Sequence, residues 1–270
     1  MDYLEEQAER AEEKGDFAVA AALWRRLAEK DRDPLHFVRY GRVAQNLENW
    51  DEAEQAYAEA LRIDPNLHLA MEALGDLWAT RTDKDDRESF EQAKEWFLKA
   101  LQGEHSSRTL TFLGGAYLAL EDYDAARQAF EEALLVNPQN EEALYNIATI
   151  DAKKDPQKSI DLLEKAVEID PDYSAAHQQL GRLYHGERDL ARAEYHFRRS
   201  FELDPHDVFS SLYLANILAV QGKTTEAERT YRLAVSLHPN NKDAGEFFAR
   251  FLEFLGRNEE ATEVRSHNKP

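Results

Sequence analysis

Apolar and small residues return along this chain about every 33 or 34 residues, most clearly in what reads as the second helix of a helix pair. Small side chains stand at Ala20, Ala53, Ala93, Ala126, Ser159, Ala193, Ala227 and Ala261, separated by 33, 40, 33, 33, 34, 34 and 34 residues. Four residues after each of the first seven comes a large apolar residue: Trp24, Tyr57, Phe97, Phe130, Leu163, Phe197 and Tyr231. A further small residue usually follows three later, as at Ala60, Ala100, Ala133, Ala166, Ser200 and Ala234. Steps of three and four put all of these on one stripe of an α-helix. The preceding helices repeat as well, through Tyr40-Gly41, Leu74-Gly75, Leu113-Gly114, Ile147-Ala148, Leu180-Gly181 and Leu214-Ala215. A helical glycine costs about 1 kcal/mol against alanine. Its return at one register therefore predicts a place where the paired helix comes close. Pro34, Pro65, Pro138, Pro171, Pro205 and Pro239 punctuate the units, because proline cannot continue a helix. Asp64-Pro65, Asp170-Pro171 and Asp204-Pro205 read as turns.

The pattern predicts one all-α domain over residues 1–270, built of antiparallel helix pairs. The repeats fall at approximately 1–34, 35–67, 68–105, 106–139, 140–172, 173–206 and 207–240, with a capping helix pair at 241–266. Departures from the pattern carry information. The first unit has Gln7-Ala8 and Ala11 where bulkier residues would pack, which suits a frayed or capping unit. The third carries an insertion at 81–88 (RTDKDDRE), expected to be a neutral surface loop rather than a contact site. The fifth has Asp151 at an apolar place, and the last has Arg265 where an aromatic would pack, as suits a polar cap. Trp50 and Tyr123 are expected to brace the second helices, and Trp96, one residue off the stripe, to be partly exposed.

The stretches LGGAYLALEDYDAARQAFEEALLVNP (Leu113 to Pro138) and LGRLYHGERDLARAEYHFRRSFELDP (Leu180 to Pro205) resemble the tetratricopeptide repeat (TPR) motif. The resemblance implies a right-handed superhelical solenoid in which the first helix of each unit lines a concave groove. It also implies a non-catalytic scaffold or adaptor that binds a peptide or partner domain there. Two alternatives remain open. One is a structural module that self-associates through its ends or convex face. The other is a substrate-recognition arm, assembly factor or co-chaperone subunit of a separate enzyme.

On that implication the groove of the N-terminal half presents Asp2, Glu5, Glu9 and Glu12, then Arg42, Glu72, Asp76, Thr111, Gly115 and Leu118. Further along come Tyr145 and Thr149, then Gln178, Arg182 and His185, then Leu212 and Asn216, then Glu246, Arg250 and Glu253. Arg182, Asn216 and Arg250 form a row at 34-residue intervals. In chaperone-binding relatives, Asn and basic side chains at such places clamp a terminal carboxylate. Gln178 and Glu246 stand where that clamp has lysines, so it is incomplete here.

Composition narrows the field further. There are 53 acidic against 33 basic residues, a formal net charge of −20, which repels phosphate backbones and disfavours nucleic acid as a partner. Cysteine is absent, so disulfides and thiolate chemistry are excluded. No run of 18 apolar residues exists and the acidic N-terminal stretch lacks an apolar signal core, so a cytoplasmic protein without a membrane span is expected. His177 and His185 sit eight residues apart, about 12 Å along a helix axis. These two and His196 are accordingly expected to be packing or solvated rather than metal ligands. Asp83, Asp85 and Asp86 lack the Gly turn and terminal Glu of a calcium loop. Neither a G-x-x-x-x-G-K-[ST] loop nor a G-x-S-x-G elbow is present. No enzyme activity and no cofactor are expected.

Overall fold

The computed structural model describes residues 3–81 and 85–267, and every regular element among them is an α-helix. In chain order these are α1 (Tyr3–Glu13), α2 (Phe17–Asp31), α3 (Pro34–Asn46), α4 (Trp50–Ile63), α5 (His68–Thr80), α6 (Asp86–Ala100), α7 (Ser107–Ala119) and α8 (Tyr123–Val136). There follow α9 (Glu141–Asp151), α10 (Pro156–Ile169), α11 (Ser174–Gly186), α12 (Leu190–Leu203), α13 (Val208–Val220), α14 (Thr224–Leu237), α15 (Lys242–Phe254) and α16 (Asn258–His267). Two compact units result, Met1–Ala143 and Leu144–Pro270. In the first, α1 to α8 pack in sequence, and α5 also touches α3 and α7. In the second, α10 to α16 pack in sequence and α13 also touches α15. The all-α array of helix pairs expected from the repeats is the architecture found, and no helix among the described residues is long and apolar enough to cross a membrane.

The recurrent stripe is the core. The small residues from Ala20 to Ala261 are fully buried, and Trp24, Tyr57, Phe97, Phe130, Leu163 and Phe197 are at most 1% exposed. Each repeated glycine lies against the aromatic ring of its partner helix. A methyl group at Gly114 would fall 2.5 Å from Phe130 Cε1, and one at Gly181 would fall 2.8 Å from Phe197 Cδ1. Gly41 and Gly75 meet Tyr57 and Phe97 in the same way. The glycine thus forgoes helix propensity so that a ring can rest on bare backbone. Where serine replaces the small alanine, its hydroxyl finds a partner, as a buried polar group must: Ser159 Oγ donates to Asp155 O at 3.0 Å, and Ser210 Oγ to Ser200 Oγ at 3.0 Å.

Helix starts are capped largely by acids, which satisfy free N–H groups and complement the helix dipole. Asp16, Asp33, Asp85, Asp122, Asp155, Asp189 and Asp207 all accept from the first turn of their helices. Between units, Asp64, Asp170 and Asp204 accept from the N–H two residues on, each at 3.0 Å, which closes the Asp-Pro turns. Much of the acidic excess is therefore structural.

Two sequence expectations need correction. The segment 81–88 is not wholly a surface loop. Asp85 caps α6, so 86–88 form its first turn. The Arg81 side chain is 1% exposed, between Glu54 at 3.1 Å and Asp51 at 3.4 Å, with its guanidinium 4.7 Å from the centre of the Trp78 ring. Thr82, Asp83 and Lys84 lie outside the described residues. Tyr123, the first residue of α8, is 57% exposed rather than bracing. Asp151 is buried at its apolar place, and Lys158 Nζ meets it at 3.4 Å. Trp50 does pack against its neighbours, and Trp96 is partly exposed, with Lys99 Nζ 4.0 Å above its ring.

Arg81 ties α5 to α4 of the preceding repeat, and an Arg81→Met variant tests that tie. Losing a buried cation strands its anions, at a cost of ~3–5 kcal/mol when both partners are buried. Asp51 is 85% and Glu54 40% exposed, so both can rehydrate, and about 2 kcal/mol is expected. All four tryptophans, 24, 50, 78 and 96, lie in the first unit. Urea unfolding followed by tryptophan emission will read the loss there.

Candidate functional site

The first helices of the second unit carry an apolar hollow of about 390 Å³ between α13 and α15. Asn216, Val220, Phe247, Arg250, Phe251 and Phe254 line it. It exists because α15 is apolar on more than its core stripe: Phe248 and Leu252 face the core, while Phe254 is left 80% exposed. Val220, at the end of α13, is 67% exposed. Two of the expected groove residues, Asn216 and Arg250, thus meet in one hollow.

The charges beside that hollow are already matched. Arg250 Nε donates to Glu246 Oε1 at 2.8 Å, and Arg265 Nε donates to Glu246 Oε2 at 2.8 Å. Arg265 also pairs with Glu253. The two guanidinium groups, Arg265 first, hold the Glu246 carboxyl down at about 2. Arg265, read as a polar cap, in fact clips α16 to α15 through these two glutamates. Arg250 thus has one N–H on Glu246 while most of its side chain stays exposed.

The remaining expected residues are distributed as follows. Arg182 is exposed, bonds Gln179 Oε1 at 3.3 Å, and lies 5.6 Å from the Phe209 ring centre. His185 meets Tyr213 edge-on, and Tyr213 stacks on Phe209 at 4.2 Å, so α11 and α13 share an aromatic seam. Gln178 Nε2 donates to Asp207 at 2.7 Å. Tyr145 packs on Tyr173 at 5.2 Å, and the Thr149 hydroxyl bonds back to Tyr145 O at 2.9 Å. Leu212 is 5% exposed, so it serves the core of its unit. In the first unit Arg42 is exposed and Leu118 half-buried. Asp76 accepts from Gln45 Nε2 at 2.8 Å, and Glu72 is buried, accepting from Thr109 Oγ1 at 2.6 Å. Asp2 lies outside the described residues.

Sequence reasoning passed over Val220, Phe247, Phe251 and Phe254. Their signal was available: α15 has four phenylalanines in 13 residues, more than one buried stripe can use. It also missed that His177 and His196 form a buried pair, with the two Nδ1 atoms 3.0 Å apart and His177 Nε2 3.2 Å from Pro171 O. Among the described residues, no three His, Asp or Glu side chains come together as a metal site.

Family models described as tetratricopeptide repeat match residues 37–67, 113–174 and 162–195. Protein O-mannosyl-transferase TMTC1 of Homo sapiens is 26% identical over 182 residues, 66% of this chain and 20% of that protein. TPR repeat-containing protein YpiA of Bacillus subtilis is 27% identical over 135 residues, 50% of this chain and 31% of that one. The chain therefore spans less than a third of the length of either relative. Among solved structures, the APC/C hetero-tetramer Cut9-Hcn1 aligns with a TM-score of 0.71 at 15% identity, over 91% of this chain and 48% of that one. PilF of Pseudomonas aeruginosa aligns with a TM-score of 0.71 at 20% identity, over 82% and 98%. YrrB, described as a TPR protein with an unusual peptide-binding site, aligns with a TM-score of 0.52 at 19% identity, over 71% and 97%.

Proposed function

The chain belongs to the tetratricopeptide-repeat family, and from that premise we propose that it is a protein-interaction module, holding a segment of a partner protein against its first-helix faces rather than catalysing a reaction. The α13–α15 hollow carries this reading. Phe254 and Val220 expose apolar surface that a solitary protein has reason to cover. Beside them the Asn216 amide offers one donor group and one acceptor, the complement of a peptide backbone unit. The likeness to YrrB, whose description names a peptide-binding site, supports the same reading.

Both exposed side chains can be changed without disturbing the core. Affinity capture with the Val220→Asp/Phe254→Asp variant is expected to lose the partners held by the wild type. An apolar anchor contributes about 2 kcal/mol or more, a loss of at least ~30-fold in affinity. Equal recovery by both proteins overturns the reading.

The likeness to an O-mannosyl-transferase favours a second reading, in which the module serves as the recognition arm or assembly subunit of a separate enzyme. A transferase among the partners lost with the variant supports it; partners without any enzyme count against it.

A further inference from the structure

A second hollow, of about 290 Å³, opens in the first unit among α5, α6 and α7. Its walls include Ala79, Phe90 and Phe112, its floor Gly115, and two carboxylates, Asp76 and Glu142, complete the lining. Gly115 is the anomaly. Gly41, Gly75, Gly114 and Gly181 each lie beneath a ring that needs the space, whereas a methyl group at Gly115 would meet nothing within 4 Å. An interior helical glycine weakens its helix relative to alanine, and no intramolecular contact at Gly115 accounts for it. What it does provide is an open floor beneath the hollow.

The ionisable side chains that line the hollow are both acids. Burial, and then neighbouring Glu141, push the Glu142 carboxyl up, against the pull of Arg108. Arg108 is itself turned to Glu72 at 3.6 Å and to the face of Phe112 at 5.1 Å. Asp76 accepts from the neutral amide of Gln45 at 2.8 Å. A cation entering here would meet two carboxylates and aromatic walls together.

We propose that this hollow receives an arginine side chain of a partner segment, with its stem over Gly115 and the Phe90 and Phe112 rings and its guanidinium against Asp76 and Glu142. Arginine suits the site better than lysine, because its planar, weakly hydrated head stacks on aromatic faces and pairs carboxylates through two N–H groups. That the arginine comes from a protein rests on the interaction reading above; the chemistry of the hollow does not, and it is tested without any partner.

The probe is n-butylguanidinium, titrated into the full chain while the Gly115 amide is followed by two-dimensional NMR, with n-butylurea and n-butylammonium as controls. A saturable Gly115 shift with the guanidinium, none with the urea, and binding at least about threefold weaker for the ammonium is the expected result. Asp76→Asn/Glu142→Gln should weaken binding about tenfold or more. Gly115→Leu, read at the Ala119 amide, should abolish it while the melting temperature holds or rises, which separates blocking from misfolding. An unmoved Gly115, an equal response to the urea or the ammonium, or undiminished binding by either variant overturns the proposal.

Discussion

Phe130→Ala will cost about 3–5 kcal/mol, the range for deleting a fully buried aromatic ring. Phe130 has no exposed surface, and its ring lies on the bare backbone of Gly114. The void left behind is bounded by helix backbone on that side, which cannot collapse inward as a flexible side chain could. The converse substitution makes the argument specific. Gly114→Ala alone should cost roughly 1–3 kcal/mol, because the new methyl would stand 2.5 Å from the ring. With Phe130 already alanine, the same change should be neutral or gain up to about 1 kcal/mol from helix propensity. A double-mutant cycle by urea unfolding, read by tryptophan emission from the first unit and by helical circular dichroism, measures the reversal. If Gly114→Ala is equally harmful in both backgrounds, the glycine serves something other than the ring.

That pairing also shows why the fold was legible. Each repeat must solve the same packing problem, so one small residue and one large residue recur at fixed spacing, and the repetition outweighs any single ambiguous position. Where a helix is apolar all round, the pattern is silent about direction. In α13, VFSSLYLANILAV, periodicity does not separate Leu212, which is buried, from Asn216 and Val220, which look outward. Val220 was missed for that reason, whereas the surplus phenylalanines of α15 were there to be read. The Asn216–Arg250 juxtaposition was legible because both sit in register, 34 residues apart. That Glu246 and Arg265 would occupy Arg250 and its surroundings depends on side-chain reach across α15 and α16, which spacing does not encode. Arg81 was misread for a related cause: an arginine at the edge of an insertion looks solvated until its acids, 27 and 30 residues back, are brought beside it.

Acidification from pH 6.5 to about 4 will destabilise the second unit through the His177–His196 pair. The Pro171 carbonyl can only accept, so His177 Nε2 holds the proton and His177 Nδ1 is left bare to accept from His196 Nδ1–H. The pair is complete only with both rings neutral. A proton on His177 Nδ1 would set two N–H groups face to face. A proton on His196 would charge a buried ring stacked on Tyr184, with Arg192 repelling it. Burial, then His177, then Arg192 push His196 down to about 4 from an ordinary 6.5. Burial likewise lowers His177, with Arg199 adding to it, while the Pro171 bond, Asp170 and Asp172 oppose. Because the folded pKa lies below the unfolded one, the unfolded chain takes up the proton first as pH falls. Stability from this site is therefore full above 6.5 and is lost progressively down to 4, by about 3 kcal/mol in all for His196. Carboxylates held low, such as Glu194 and Glu228, would add their losses only below about pH 4.5, their unfolded range. The window from 6.5 to 4.5 is thus where the imidazoles act. In His196→Phe, which keeps a flat ring and cannot titrate, unfolding measured by circular dichroism should be much less dependent on pH across that window. Parallel losses in the wild type and the variant would mean that the two imidazoles are not held neutral against each other.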